Sequence, residues 1–417
     1  MATLNCGVAG SGPLWRPSVP TARQGAAGSD GFCLRDGSRC RLLSLMGAVR
    51  QPLYVIRQRV LLEKVGMSKF MRLLILATGC LILGGCGAEG ERSDDRLATT
   101  VFDTVTAIGA LEGADWEVFG VIRGIAVSGQ GDIAVLDLQT RSVSVFSVDG
   151  EFLASLTARG EGPGELSQPW TLHWMGDDRL IVTDRGNARI SEFVLDGSDL
   201  QFAGSMRMEF PMGHFCTIEE RVFAAAYREN GTIHSFEWGV DEHNSFGTVP
   251  EVASLDGLDS GSRAIAIREW AVGRLQCDET RNRVLEVGTL NGHARLFAGD
   301  GTTIWQQRLE DVHLMEPVVE NGAFSFRADE TTGAHVAQSA VVWDSEHVLV
   351  QHQLRFPDDE GAEDRARLAS RLIHLETGVE EERSYALPRL MTRSGDRFVS
   401  FRNEPYPQLL ILEKVFE

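Results

Sequence analysis

Ile133-Ala-Val-Leu-Asp137 and Leu180-Ile-Val-Thr-Asp184 are two copies of one pattern, and the match runs past their ends. Val143 and Phe146 recur as Ile190 and Phe193, and Asp149-Gly150 recurs as Asp196-Gly197, each pair 47 residues apart. Self-similarity at a fixed period of this size marks a repeat architecture, in which one supersecondary unit cannot bury its apolar residues alone. The second copy reads as four short strands: Thr171 to Met175, Arg179 to Asp184, Arg189 to Leu195 and Leu200 to Met208. Gly176-Asp-Asp178, Arg185-Gly-Asn187 and Asp196-Gly197 part them. Asp-Gly is a strong hairpin signal, because Gly takes φ > 0 without steric cost. Such a sheet needs a like sheet on each side, and a ring of these sheets is a β-propeller.

Working outward, blade one spans about 121–166 and blade two about 167–208. Blade three spans about 209–255, with strands over Phe215–Ile218, Arg221–Tyr227 and Thr232–Trp238. Blade four spans about 262–312, where Phe297-Ala-Gly-Asp300-Gly301 repeats the hairpin seen after Phe146 and Phe193. Blade five spans about 322–386, with strands over Ala340–Trp343, His347–Gln351 and Arg371–Leu375, and blade six about 388–417. Blade six is one strand short, while Thr99 to Ala107 alternates as a strand without a blade. The N-terminal strand therefore completes the C-terminal blade, removing the open edges that invite aggregation. The expected fold is all-β: a six-bladed β-propeller of four-stranded antiparallel blades over 99–417, closed by an N-terminal strand. Asp241–Ser260 and Pro357–Arg367 are polar and read as surface loops. No long apolar stripe of 3.6-residue period occurs past residue 100.

Gly160-Glu-Gly162-Pro163-Gly164-Glu-Leu166, Pro169, Leu180 to Asp184, Asn187-Ala-Arg189-Ile190 and Phe193 together resemble an NHL-type repeat. The chain is also similar to six-bladed propeller lipoproteins of Gram-negative bacteria. The resemblance covers 121–208 and implies the fold and an envelope location. Blades three to six lack the Asp…Asn-x-Arg-Ile signature, so no specific activity is implied.

Met67-Ser-Lys69-Phe-Met-Arg72 is a basic n-region, and Leu73 to Leu83 is an apolar h-region of 11 residues, too short for an ordinary membrane-spanning helix. It ends in Leu83-Gly84-Gly85-Cys86, similar to the bacterial lipobox, so 67–86 reads as a lipoprotein signal peptide with Cys86 as the lipid attachment. Residues 87–98, small and charged, read as a flexible tether. Residues 1–66 show no domain pattern: either translation starts at Met67, or the segment is an unstructured extension. The absence of Asp directly after Cys86 favours the outer membrane by the same resemblance.

Net charge is −19, of which the first 86 residues carry +8, leaving −27 for the rest. Such a surface repels phosphate backbones and argues against nucleic-acid binding. In a propeller the inner strands line a channel, and the loops entering them crowd one face. That face would present Arg123, Gln139, Arg159, Glu161, Trp170, Arg185 and Asn187, with Trp270 as a weaker candidate. Its Arg/Trp content suits a peptide, protein or glycan. Asp137 and Asp184 recur in successive blades and so read as turn carboxylates accepting backbone N–H bonds. The ten His are scattered without a zinc spacing; His173, His214, His293 and His335 could approach the channel. Gly160–Gly164 lacks the Lys-Ser/Thr of a phosphate loop and reads as a blade connection. Cys216 and Cys277 fall in neighbouring blades, and either pair or lie buried as small apolar groups. No catalytic set and no cofactor motif emerge. The expected function is an envelope-anchored binding or scaffold module that holds membrane lipid through Cys86. The alternative is a calcium-dependent hydrolase, with calcium held in the channel by carboxylates and Asn, as in calcium-dependent lactonase propellers.

Overall fold

The computed structural model describes residues 96–416, apart from 211, 229–230, 241–242, 250–258, 321–322 and 357–367. The lipobox, the h-region, Cys86 and residues 1–66 lie outside the described residues, as does Pro357–Arg367.

Six four-stranded antiparallel sheets form the blades, each ordered from the inner strand outward. Blade one is β2 (Ile122–Val127), β3 (Ile133–Asp137), β4 (Ser142–Phe146) and β5 (Phe152–Thr157). Blade two is β6 (Pro169–Met175), β7 (Arg179–Asp184), β8 (Arg189–Asp196) and β9 (Asp199–Arg207). Blade three is β10 (Phe215–Ile218), β11 (Arg221–Arg228), β12 (Gly231–Glu237) and β13 (His243–Thr248). A helix, α1 (Ser260–Ala271), precedes blade four, which is β14 (Gly273–Asp278), β15 (Arg283–Gly288), β16 (His293–Ala298) and β17 (Thr303–Arg308). A separate hairpin, β18 (Glu316–Glu320) and β19 (Ala323–Arg327), leads to blade five: β20 (Ala334–Val342), β21 (His347–Arg355), β22 (Leu368–His374) and β23 (Glu380–Ser384). Blade six is β24 (Thr392–Ser394), β25 (Arg397–Arg402), β26 (Gln408–Phe416) and, outermost, β1 (Thr100–Ile108).

β1 pairs antiparallel with β26, Thr100 opposite Phe416 and Ile108 opposite Leu409, so the N-terminal strand closes the ring as expected. The core lies between blades because successive residues of a strand point to opposite faces. Leu136, Val143, Leu172, Leu180 and Phe193 pack blade one on blade two. Ile133, Val135 and Phe146 turn the other way, onto Val399, Leu409 and Ile411 of blade six. β3 is therefore buried at every position. Between blades three and four the seam is polar as well: buried Arg295 reaches Glu286 at 2.5 Å and Thr232 at 2.9 Å.

Four sequence expectations are corrected. Asp241–Ser260 is not simply a loop, since it contains β13, whose exposed polar residues hide its strand character. Blade four begins at Gly273 rather than near 262, because Ser260–Ala271 is helical, capped by Asp259 through the amides of Gly261 and Ser262. Blade five begins at Ala334, after the extra hairpin. The tether does not extend to residue 98: Leu97 is fully buried among Trp343, Leu349 and Phe398. Arg96 bonds Glu381 at 2.8 Å, and the amides of Leu97 and Ala98 donate to Glu382. The open question of Cys216 and Cys277 is answered by a disulfide joining β10 to β14, with Cα atoms 5.7 Å apart.

Candidate functional site

Antiparallel order gives the ring two unlike faces. Each inner strand starts at one face, and the loop between the second and third strands returns to it. Arg123 is the second residue of β2, Trp170 the second of β6 and Arg274 the second of β14. His214 immediately precedes β10, and Arg389 lies three residues before β24. Arg185 follows β7, and Arg355 ends β21, so both come from returning loops at the same face. Every blade thus places a cationic or imidazole group at one mouth.

The mouth opens into a cavity of about 650 Å³ between the inner strands. Arg123, Trp170, His173, His214, Arg274, Arg355 and Arg389 line it, and its single lining carboxylate is Glu279, which follows β14 at the far end. Trp170 sits between two guanidiniums: the Arg123 and Arg185 carbons lie 3.6 and 3.5 Å from the ring centroid. Two groups that close cannot share a face, so they cover both faces of the indole. Arg185 also donates to the Met212 carbonyl at 2.9 Å, and its buried Nε has no partner among the described residues. Arg274 donates through Nε to the Ala337 carbonyl at 2.8 Å. Among the described residues Arg123 has the Trp170 face and no hydrogen bond or ion pair.

These charges feel one another. Burial, then Arg123, lowers the Arg185 pKa to about 10. Burial, then Arg123 and Arg389, lowers Arg274 to about 10. Both stay charged at neutral pH. Burial, then Arg274, Arg123 and Arg185, holds His214 well below the ordinary imidazole range, so it is neutral there. His173 is lowered to about 4 by burial. The arrangement offers fork-shaped donors, with Glu269 the one described carboxylate whose charge reaches Arg185, and such forks receive oxyanions.

The sequence-derived face divides accordingly. Arg123 and Trp170 line the cavity, and Arg185 backs Trp170. Gln139 is exposed in the loop after β3 and does not line the cavity. Arg159 is exposed and donates to the Thr140 carbonyl. Glu161 is exposed, and its carbonyl accepts from Arg189. Asn187 is a brace: its amide donates to the Gly160 carbonyl at 3.0 Å, the Glu165 carbonyl at 3.3 Å and Asp184 at 2.8 Å. Trp270 is buried in α1, with its carbonyl bonded to Asn291. His173 and His214 reach the cavity, whereas His293 and His335 do not line it.

Asp137 and Asp184 have the structural role expected. Asp184 accepts from the amides of Ser167, Gln168, Gly186 and Asn187, and Asp137 from those of Gly120, Val121, Gln139 and Thr140. Each carboxylate ties its own turn to the loop entering the inner strand. Sequence reasoning missed Arg274, Arg355 and Arg389. Their signal is position: Arg274 stands where Arg123 and Trp170 stand, but the repeat that fixes this register fades after residue 208. Among the described residues no group of three His, Cys, Asp or Glu is placed to hold a metal ion.

Residues 92–241 match the family model described as DUF5128, a 6-bladed beta-propeller. A duf4221 family member from Bacteroides vulgatus ATCC 8482 has a TM-score of 0.50 and 5% identity, over 76% of this chain and 99% of that one. A protein of Bacteroides fragilis NCTC 9343, provisionally named as exported, has a TM-score of 0.47 and 10% identity, over 77% and 96%. The Cps50 (Swd1) beta-propeller domain of Myceliophteria thermophila has a TM-score of 0.43 and 9% identity, over 75% and 99%. No curated protein sequence matches the chain. At these identities the likeness shows the fold alone, and residues 92–241 of this chain are those of a six-bladed propeller.

Proposed function

We propose that this chain is an exported, lipid-anchored binding propeller that takes an acidic ligand at the arginine mouth of its channel. One observation carries the reading: a chain of net charge −19 gathers a cationic or imidazole group from every blade at one opening, and among the described residues no carboxylate lines that opening. Holding like charges together is unfavourable, and an anion relieves it. The basic n-region, the apolar run and Leu83-Gly84-Gly85-Cys86 support export and lipidation at Cys86. The Cys216–Cys277 disulfide agrees with an oxidising compartment outside the cytoplasm. The NHL-type resemblance of 121–208 belongs to the same reading. Its Asn187 and Arg189 brace the Gly160–Leu166 connection, so that signature serves the ring rather than the ligand.

The ligand is a small acidic molecule or an acidic group on a peptide or glycan, rather than nucleic acid, which the −27 exterior repels. The calcium-dependent hydrolase is disfavoured by charge: a cation entering this mouth meets Arg123, Arg274, Arg355 and Arg389 before it reaches Glu279.

The test is a thermal-shift panel on the purified full-length protein, pairing acidic with neutral peptides and glycans. Acidic members should raise Tm, and Arg123→Gln should remove the rise. Equal shifts from neutral members, or shifts indifferent to Arg123→Gln, would overturn the reading.

A further inference from the structure

We infer that the channel takes a short extended peptide, its terminal carboxylate at the arginine mouth and its amino end at Glu279. The inference rests on the acidic-ligand reading above and names the class of molecule. Residues 121–129 line the cavity without a break, as do 170–174 and 274–277. Successive side chains of a strand point to opposite faces, so side chains alone would contribute every second residue. The unbroken runs mean that main chain faces the cavity. β2 is an end strand of its sheet, paired along one edge with β3. β6 and β14 are end strands likewise, paired with β7 and β15. The other edge of such a strand carries N–H and C=O groups at strand spacing, and their complement is another extended main chain. A peptide supplies that repeat, whereas a sugar ring or a compact acid does not.

The two ends of the channel set orientation and length. Arg274, the second residue of β14, stands at the mouth, Glu279 directly follows that strand, and both line the cavity. Five strand steps separate them, about 17 Å. An extended peptide of about five residues covers that distance, with a carboxylate at one end and an ammonium at the other. Arg123, with no hydrogen bond or ion pair among the described residues, offers its fork to the carboxylate. Glu279 accepts the Glu219 amide at 3.3 Å through one oxygen and presents the other to the ammonium. Arg393 also lines the channel, but it is turned to the Trp343 and Gly395 carbonyls and to Asp396, 3.7 Å away. The cavity, about 650 Å³, falls in the size range of ligand sites. Main-chain pairing gives affinity without reading side chains, so many peptide sequences are accepted.

Equilibrium dialysis of the purified full-length protein against randomised peptide pools tests this, with retained peptides read by mass spectrometry. Dipeptide, pentapeptide and decapeptide pools are each offered with free ends, with the carboxyl end amidated and with the amino end acetylated. Free-ended pentapeptides should be retained best, and blocking either end should weaken retention about tenfold or more. Arg123→Gln should bring free-ended pentapeptides down to the level of amidated ones and leave the amidated ones unchanged. Glu279→Gln should bring them down to the level of acetylated ones and leave the acetylated ones unchanged. Glu279 is exposed and Arg123 bonds no described residue, so both variants keep the ring. Citrate and trigalacturonate, acids without a peptide main chain, are followed by thermal shift alongside. A rise in Tm from them that Arg123→Gln removes, with no peptide pool retained, would overturn the peptide inference and leave the acidic mouth standing. Amidated pentapeptides held as tightly as free ones would overturn the carboxylate at the mouth, and the inference with it. Retention indifferent to peptide length, or to both variants, would overturn it as well. No retention and no shift overturns both readings.

Discussion

His352 on β21 is almost wholly buried, and among the described residues neither ring nitrogen has a partner. Burial, then Arg371, His335 and Arg274, lowers its pKa to about 3. His335 is lowered to about 4 by burial and His313, and His173 to about 4 by burial. Each is neutral in the fold but titrates near pH 6.5 when unfolded. The unfolded chain therefore binds more protons below that pH, so these residues favour the fold fully above about 6.5. The benefit is lost as pH falls toward 4, on the order of 1–3 kcal/mol for each. Urea unfolding from pH 7.5 to 4.5 should show this loss, and His352→Phe, which cannot titrate, should flatten it. An unchanged pH slope in His352→Phe would mean the imidazole is protonated in the fold. None of this was legible in the sequence, where ten scattered His look alike. Asp137 and Asp184 were legible because the same carboxylate at the same point of two repeats has the same backbone amides to satisfy.

At the scale of elements, legibility follows how evenly a strand is covered. β3 and β7 lie between two blades, so their apolar residues announce them. β13 is an outer strand with polar residues and one paired edge, and it passed for a loop. α1 buries little more than Ala266, Trp270 and Ala271, too few to write a helical period. Together they displaced the start of blade four, and the position of Arg274 went with it. The same stretch left the pairing of Cys216 with Cys277 open, since neighbouring blades do not guarantee neighbouring strands. The bond ties inner strand β10 to inner strand β14 across a separation of 61 residues, spanning α1 and the polar seam around Arg295. A cross-link over a loop this long restricts the unfolded chain by about 2–4 kcal/mol. Cys277→Ser, or reductant added to the native protein, should lower Tm accordingly. A Tm indifferent to both would show that the two thiols are free.

The whole molecule turns on which way the mouth points. β24 runs away from the mouth, β25 toward it, β26 away, and β1 toward it again. Thr100, the first residue of β1, therefore lies at the base, where Arg96, Leu97 and Ala98 are fixed to Glu381 and Glu382. With Cys86 carrying lipid as proposed, the residues between it and Arg96 span at most about 30 Å when fully extended. β1 alone, nine residues long, rises about 30 Å from base to mouth. A tether of that length leaves no slack for a mouth turned toward the bilayer, so under the lipid-anchor proposal the expected orientation puts the base toward the membrane and the arginines away from it. In that orientation the expected ligand comes from solution or from a neighbouring surface rather than from the headgroups of the anchoring membrane. A fluorophore at Ser345→Cys, in the loop after β20 at the base, should be quenched by quencher lipids in proteoliposomes. The same fluorophore at Gln139→Cys, beside the mouth, should not. Cys86→Ser should release the protein from the membrane and abolish both signals. Stronger quenching at Gln139 than at Ser345 would turn the ring over and make lipid headgroups the ligand to test.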